Sequence, residues 1–217
     1  MSVPPPPPPP RSAMNPPPSP LERVRLNSDD REAALEVCNE KGIALKFTSE
    51  KMRNDREVVL VAVTQNGMAL AHASVRLRHH REIVKHAVGQ SGQALQAASQ
   101  ELRGDTEIVL AAAKQDIAAL EYAVPALKED PAFMMKAVGV KTEALAYGSD
   151  KVKGDAKVVR AAVTKCGTAL AYASPALKKD PKIVSAAVLE CQMPGDPDYP
   201  QITALNLASS SIQRSAA

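Results

Sequence analysis

An all-α solenoid of about six and a half 25-residue helical repeats is the fold this sequence predicts. Three observations predict it. Asp stands at positions 30, 55, 105, 130, 155 and 180, His80 fills the one gap, and no insertion or deletion disturbs the spacing to about Cys191. Counted from that Asp as zero, offsets three, four, seven and eight are apolar almost throughout: Val58, Val59, Ala62 and Val63 in unit two, Val158, Val159, Ala162 and Val163 in unit six. Gly42, Gly67, Gly92 and Gly167 share offset twelve, and Ala-Leu pairs follow them at offsets fourteen and fifteen. A short fixed period marks an array whose units bury their apolar faces on one another. Apolar positions three and four apart form one stripe of an α-helix.

The elements follow in order. Residues 1–19 hold Pro4 to Pro10 unbroken, then Pro16 to Pro18. Successive prolines fix φ and remove donors, so this tail should be disordered, extended and solvated. Residues 20–29 should cap the array, with Ser19 as N-cap, Pro20 as first helical residue, and Leu21 and Val24 facing unit one. The array itself spans 30–191. Each Asp suits an N-cap, and the Glu two places later (Glu32, Glu57, Glu82, Glu107) adds favourable charge to the first turn. Pro131 and Pro181 follow their Asp at the position where a helix tolerates proline.

The first helix of each unit should run ten or eleven residues and stop at the glycine of offset twelve, read here as a left-handed C-terminal residue. Ile117 and Thr142 replace that glycine, so their turns should be built differently. A second helix of about six residues carries the Ala-Leu pair. Pro125 and Pro175 at offset twenty end it, and Ser174 reads as the N-cap of a separate single turn anchored by a Leu (Leu77, Leu102, Leu127, Leu177). Unit seven keeps only its first helix. Residues 192–217 should supply a C-terminal cap through Ile202, Leu205 and Leu207, then a disordered tail.

Composition narrows the function classes. Aromatic residues make up 3% of the chain, with no Trp, so the core is small aliphatics and a deep aromatic ligand pocket is not expected. A formal net charge of +3 is too weak to name nucleic acid or membrane as partner. Cys166 and Cys191 recur at one offset in adjacent units. Packed helices lie roughly 8–10 Å apart, beyond the Cα separation of up to about 7 Å that a disulfide spans. All three cysteines are therefore read as reduced thiols, which points to the cytoplasm or nucleus. No apolar run is long enough to cross a membrane.

The unit reads D-R-E-x-V-L-x-A-V-x-x-N-G-x-A-L-x-x-A-S-x-x-L-R. This resembles the repeats catalogued as domain of unknown function 4116, over residues 28 to 191. Departures are His80 for Asp, Ile117 and Thr142 for Gly, and Val124 for Ser. The resemblance implies the repeat fold and carries no established catalytic residues.

Candidate sites are few. Pro6, Pro9 and Arg11 form a polyproline segment with a flanking cation, the form that SH3-type grooves accept and that also suits profilin-like surfaces. Ser19-Pro20 matches a proline-directed phosphorylation site. Arg53, Arg78, Arg103, Lys128, Lys153 and Lys178 form a basic column at offset twenty-three. Such a column could follow a phosphate backbone, but pairing with the Asp that lies two residues on in most units, or capping of the preceding turn's carbonyls, accounts for it without a ligand. Offset seventeen carries Phe47, His72, Ala97, Tyr122, Tyr147 and Tyr172. These read as packing between units, since Ala97 breaks any stacking platform. His72, His79, His80 and His86 cluster in sequence but diverge, with no Cys nearby, and do not read as a zinc site. His80 reads instead as an N-cap variant whose charge would be unfavourable at a helix N-terminus. No phosphate-binding loop, zinc-protease motif or nucleophile elbow occurs.

The expected function is that of a non-enzymatic protein–protein interaction module or adaptor. It would bind a protein partner on the solenoid surface and a polyproline-recognising domain through the tail. The alternative is a nucleic-acid-binding helical solenoid using the basic column. No cofactor, metal, membrane or small-molecule substrate is indicated.

Overall fold

A computed structural model describes residues 18–189. The readings made for the proline-rich tail, including Pro6, Pro9 and Arg11, and for Ile202, Leu205 and Leu207 lie outside the described residues. Within them the chain is helical throughout, with no strand. Helix α1, Pro20–Leu26, opens with the foreseen cap: Ser19 accepts from the Glu22 N–H, and the Glu22 carboxylate accepts from the Ser19 N–H at 2.8 Å. Val24 is fully buried and Leu21 packs on the core, so α1 covers the first unit.

Each unit then repeats one plan. Long helices run Arg31–Glu40, Arg56–Gln65, Arg81–Gln90, Thr106–Gln115, Pro131–Val140, Ala156–Val163 and Pro181–Leu189. Every Asp at offset zero of units one, two, four, five and six accepts from an N–H of the first turn, as Asp155 does from Lys157 at 2.8 Å. His80 makes no such bond, and its Nδ1 is buried without a partner. Offsets three, four, seven and eight are buried in each of the first six units.

Six-residue 3-10 helices follow, Gly42–Phe47, Gly67–His72, Gly92–Ala97, Ile117–Tyr122, Thr142–Tyr147 and Gly167–Tyr172, each burying its Ala-Leu pair. The next element is a single helical turn. Ser49, Ser74 and Ser99 cap Glu50–Arg53, Val75–Arg78 and Gln100–Arg103 through their hydroxyls. Long helix stacks on long helix and 3-10 helix on 3-10 helix of the adjacent unit, and each 3-10 helix also packs on the long helix of its own unit. One continuous apolar core runs the length of this stack.

The glycines of offset twelve do not have the left-handed role read from the sequence. The residue before each is extended (Lys41 at φ −143°, Asn66 at φ −148°) and the glycine itself begins the 3-10 helix. Their reason is proximity. A Cβ on Gly42 would lie 2.2 Å from the Ala62 carbonyl oxygen of the next unit, one on Gly67 2.3 Å from that of Ala87, and one on Gly92 2.6 Å from that of Ala112. Ile117 and Thr142 begin the same 3-10 helix after the same extended residue, so the turn expected to differ does not. A side chain at these positions fits only where the following unit stands farther off.

A backbone rung ties each unit to the next. The Ser74 N–H donates to the Arg53 carbonyl at 2.8 Å, Ser99 to Arg78 at 3.1 Å, Val124 to Arg103 at 3.1 Å, Ser149 to Lys128 at 3.0 Å and Ser174 to Lys153 at 2.9 Å. Val124 keeps the rung although it lacks the hydroxyl of the other four. Cys38 and Cys166 are free thiols, and burial pushes the Cys38 thiol up to about 11.

Candidate functional site

The basic column lies along the row of single turns. Arg53, Arg78, Arg103, Lys128, Lys153 and Lys178 are all half-buried. Their shared position follows from the rung: the carbonyl of each of the first five accepts the interunit bond, which fixes the backbone from which the cation projects. The expected pairing with an Asp two residues on is not what Asp55 and Asp105 make. Asp55 bonds Arg31 at 2.9 Å, Asp105 bonds Arg81, and the same arginines also pair with Glu57 and Glu107. Lys85 joins Glu107 at 3.1 Å. Lys128 instead donates to the Glu121 carbonyl, in the 3-10 helix of its own unit, at 2.7 Å. The Nε atoms of Arg53, Arg78 and Arg103 are buried without any acceptor, so packing rather than ion pairing holds these side chains.

Between the first two turns the column opens into a groove of about 690 Å³. Lys51, Arg53, Arg76 and Arg78 line it against one carboxylate, Glu50. Its wall is organised by Asn54. The Asn54 side-chain oxygen accepts from Ser74 Oγ at 2.8 Å and from Arg76 Nε at 2.9 Å, while the Asn54 carbonyl accepts from the Arg76 guanidinium at 2.9 Å. His72 also lines the groove. Burial, then Lys46 and Arg53, push its imidazole below the ordinary value. Val75 stands at the groove with 61% of its surface exposed.

The remaining candidates resolve differently. Tyr122 and Tyr147 pack on the core, and the Tyr122 hydroxyl donates to Gln93 at 3.1 Å. Phe47 is exposed and lies under Lys46, 4.8 Å from the ring centre. The histidines do not converge: His72 is in the cationic groove, His86 in a smaller hollow beside Lys85, and His79 Nδ1 lies 2.8 Å from the Val75 carbonyl. Among the described residues no three His, Cys, Asp or Glu side chains gather to hold a metal. No described helix is long and apolar enough to cross a membrane.

Sequence reasoning passed over Arg31 and Arg81, which clamp one unit to the next. Their signal was present: each has Asp and Glu 24 and 26 residues on. Arg76, whose partner Asn54 is 22 residues back, left no comparable pattern.

Stack, rung and groove define a tandem helical-repeat protein with an open surface. The family described as Domain of unknown function (DUF4116) matches the chain twice in tandem, at residues 30–78 and 80–128. Those residues carry the repeats of that family, as the sequence pattern indicated, and each match spans two 25-residue units. No curated protein matches the chain, and no solved structure does.

Proposed function

We propose that the chain is a non-enzymatic protein-interaction module, an adaptor of the cytoplasm or nucleus that presents the array surface to a protein partner. One observation carries the reading. Buried offsets stay apolar from unit to unit, while offsets five and six of the long helix shift between exposed side chains (Lys85 and His86, Met135 and Lys136, Arg160) and half-buried apolar ones (Leu60 and Val61, Leu110 and Ala111). A constant core beneath a changing surface is what a solenoid needs to read one extended partner. The proline-rich tail would recruit a second partner with a polyproline-recognising groove. Cross-linking in cells, followed by capture of the intact chain and of one lacking residues 1–17, tests both roles. A partner lost with the tail belongs to the prolines. A partner retained belongs to the array, and no partner in either sample ends the proposal.

The nucleic-acid reading has one observation in its favour: Arg53, Arg78 and Arg103 make no ion pair among the described residues. A phosphate contact series would give affinity falling steeply with salt. Absence of RNA binding at low salt removes that reading.

A further inference from the structure

We propose that the groove between the first two single turns is a docking site for an acidic peptide segment of a protein partner. The inference rests on reading the array as a protein-interaction module and names the chemistry of the partner. Four cations, Lys51, Arg53, Arg76 and Arg78, face a single carboxylate, Glu50, across one open groove. Two of these, Arg53 and Arg78, make no ion pair among the described residues, and their Nε atoms are already buried against the array. Holding the guanidinium in place beforehand reduces the ordering that a ligand must impose. Guanidinium groups bind carboxylates and phosphates through paired N–H bonds.

Arg76 is fastened by two bonds to Asn54, so the groove keeps its shape without a ligand. His72 adds an imidazole hydrogen-bonding group to the lining. The occupant is a peptide rather than a nucleic acid because of what lies between the cations. Single-stranded nucleic acids are held by basic grooves that also stack bases on aromatic rings. This groove has no Phe, Tyr or Trp in its lining, and Val75, the apolar side chain beside the cations, suits an aliphatic residue of a peptide.

The test uses the full chain and a fluorescein-labelled peptide of glutamates interspersed with leucines, followed by anisotropy. A lysine-for-glutamate counterpart and a labelled uridine oligonucleotide serve as comparison probes. The acidic peptide is expected to bind, to weaken with added salt, and to lose about tenfold or more in affinity in the Arg53→Gln, Arg78→Gln double variant. Lys157→Gln, on an exposed face of a long helix, should leave binding unchanged. A thermal melt of the double variant that matches the parent shows that the loss is local. Arg53→Lys and Arg78→Lys, which keep charge and bulk, should restore part of the affinity if the melt differs. Equal binding by the double variant overturns the inference, as does oligonucleotide binding as tight as that of the peptide, or no peptide binding at all. The wider reading fails separately: a cellular partner cross-linked equally well by parent and double variant sinks the groove and leaves the module standing.

Discussion

Units one to three and units four to six share one backbone plan and differ in what lies between neighbours. In the first half the glycines of offset twelve let the 3-10 helix approach the next unit's carbonyl, with Cβ clearances of 2.2, 2.3 and 2.6 Å that no side chain could occupy. Arg31 and Arg81 clamp the outer edge of the same half to the carboxylates of the following unit. In the second half Ile117 and Thr142 replace two glycines, and Thr106, Pro131 and Ala156 stand where those arginines would be. The column changes from Arg53, Arg78 and Arg103 to Lys128, Lys153 and Lys178 at the same boundary. The difference teaches that the cadence is held by the buried stripe and the backbone rung, which both halves keep. Glycine and arginine set how closely the units are drawn together.

The largest effect should be indifferent to the halves. Val59 and Val159 are both fully buried at offset four. An Asp at either place leaves a carboxylate in the core without a partner, a loss of roughly 4 kcal/mol or more. Melts followed by far-ultraviolet circular dichroism should show both variants largely unfolded. An unchanged midpoint for Val159→Asp would refute the stripe.

Next comes a variant that should separate the halves. Gly67→Ala places a methyl 2.3 Å from the Ala87 carbonyl, which the stack can relieve only by moving apart, at about 1–3 kcal/mol. Thr142→Ala, at the same offset, removes only a long bond of 3.4 Å to Glu143 and should stay within about 0.5 kcal/mol. Urea midpoints check the pair; equal losses would dissolve the distinction between close and relaxed packing.

The caps are smaller. Asp155→Ala loses the bonds to Lys157 and Val158 N–H groups, about 1 kcal/mol. Asp105→Ala loses a cap and the Arg81 pair together and should fall further. Acid should expose the same asymmetry. Burial pushes the Asp105 carboxyl up, but the Ile108 N–H and Arg81 outweigh it and hold it below the ordinary value. Asp55 behaves alike, with Arg31 in the part of Arg81. A depressed carboxyl contributes stability that is complete above its unfolded value near pH 4 and fades as pH falls through the lower folded value. Melting midpoints measured from pH 5 downward should therefore decline, and less steeply in Asp105→Asn.

Smallest and opposite in sign is His80→Asp. It supplies the one missing cap among the first six long helices and sets a carboxylate 24 residues after Arg56, the spacing at which Asp55 and Asp105 receive Arg31 and Arg81. A gain of about 0.5–1 kcal/mol is expected at pH 7, read as a raised urea midpoint. A loss would mean that the extended conformation of His80 is held by something other than capping.

Most of the fold was legible because its causes are local. Asp accepting from its own first turn, Pro at the first helical position and apolar offsets three, four, seven and eight all act within a few residues. What the sequence hid acts across units. The role of Gly42 depends on a carbonyl 20 residues away, and the partners of Arg31 and Arg81 lie 24 and 26 residues on. Local pattern gave the glycine a left-handed turn because that is its commonest use, while here the constraint is a neighbour's proximity. Arg53 and Arg78 of the groove were visible as part of a column, Lys51 and Arg76 were not, and that Arg53 goes without its Asp depends on Asp55 being taken by Arg31. The 3-10 form of the second helix left no mark that distinguishes it from a short α-helix.

The rung has a consequence for how such a chain can change in length. Ser74 reaches back 21 positions to Arg53, and Ser99 the same distance to Arg78. Excising residues 55–79 would bring Ser99 to Arg53 at that same separation, so every remaining joint would still close. Adding or removing a single residue inside a unit would leave one joint out of step with all that follow. Growth or shrinkage of this molecule is therefore quantised, tolerated by the whole module and penalised by any fraction of it.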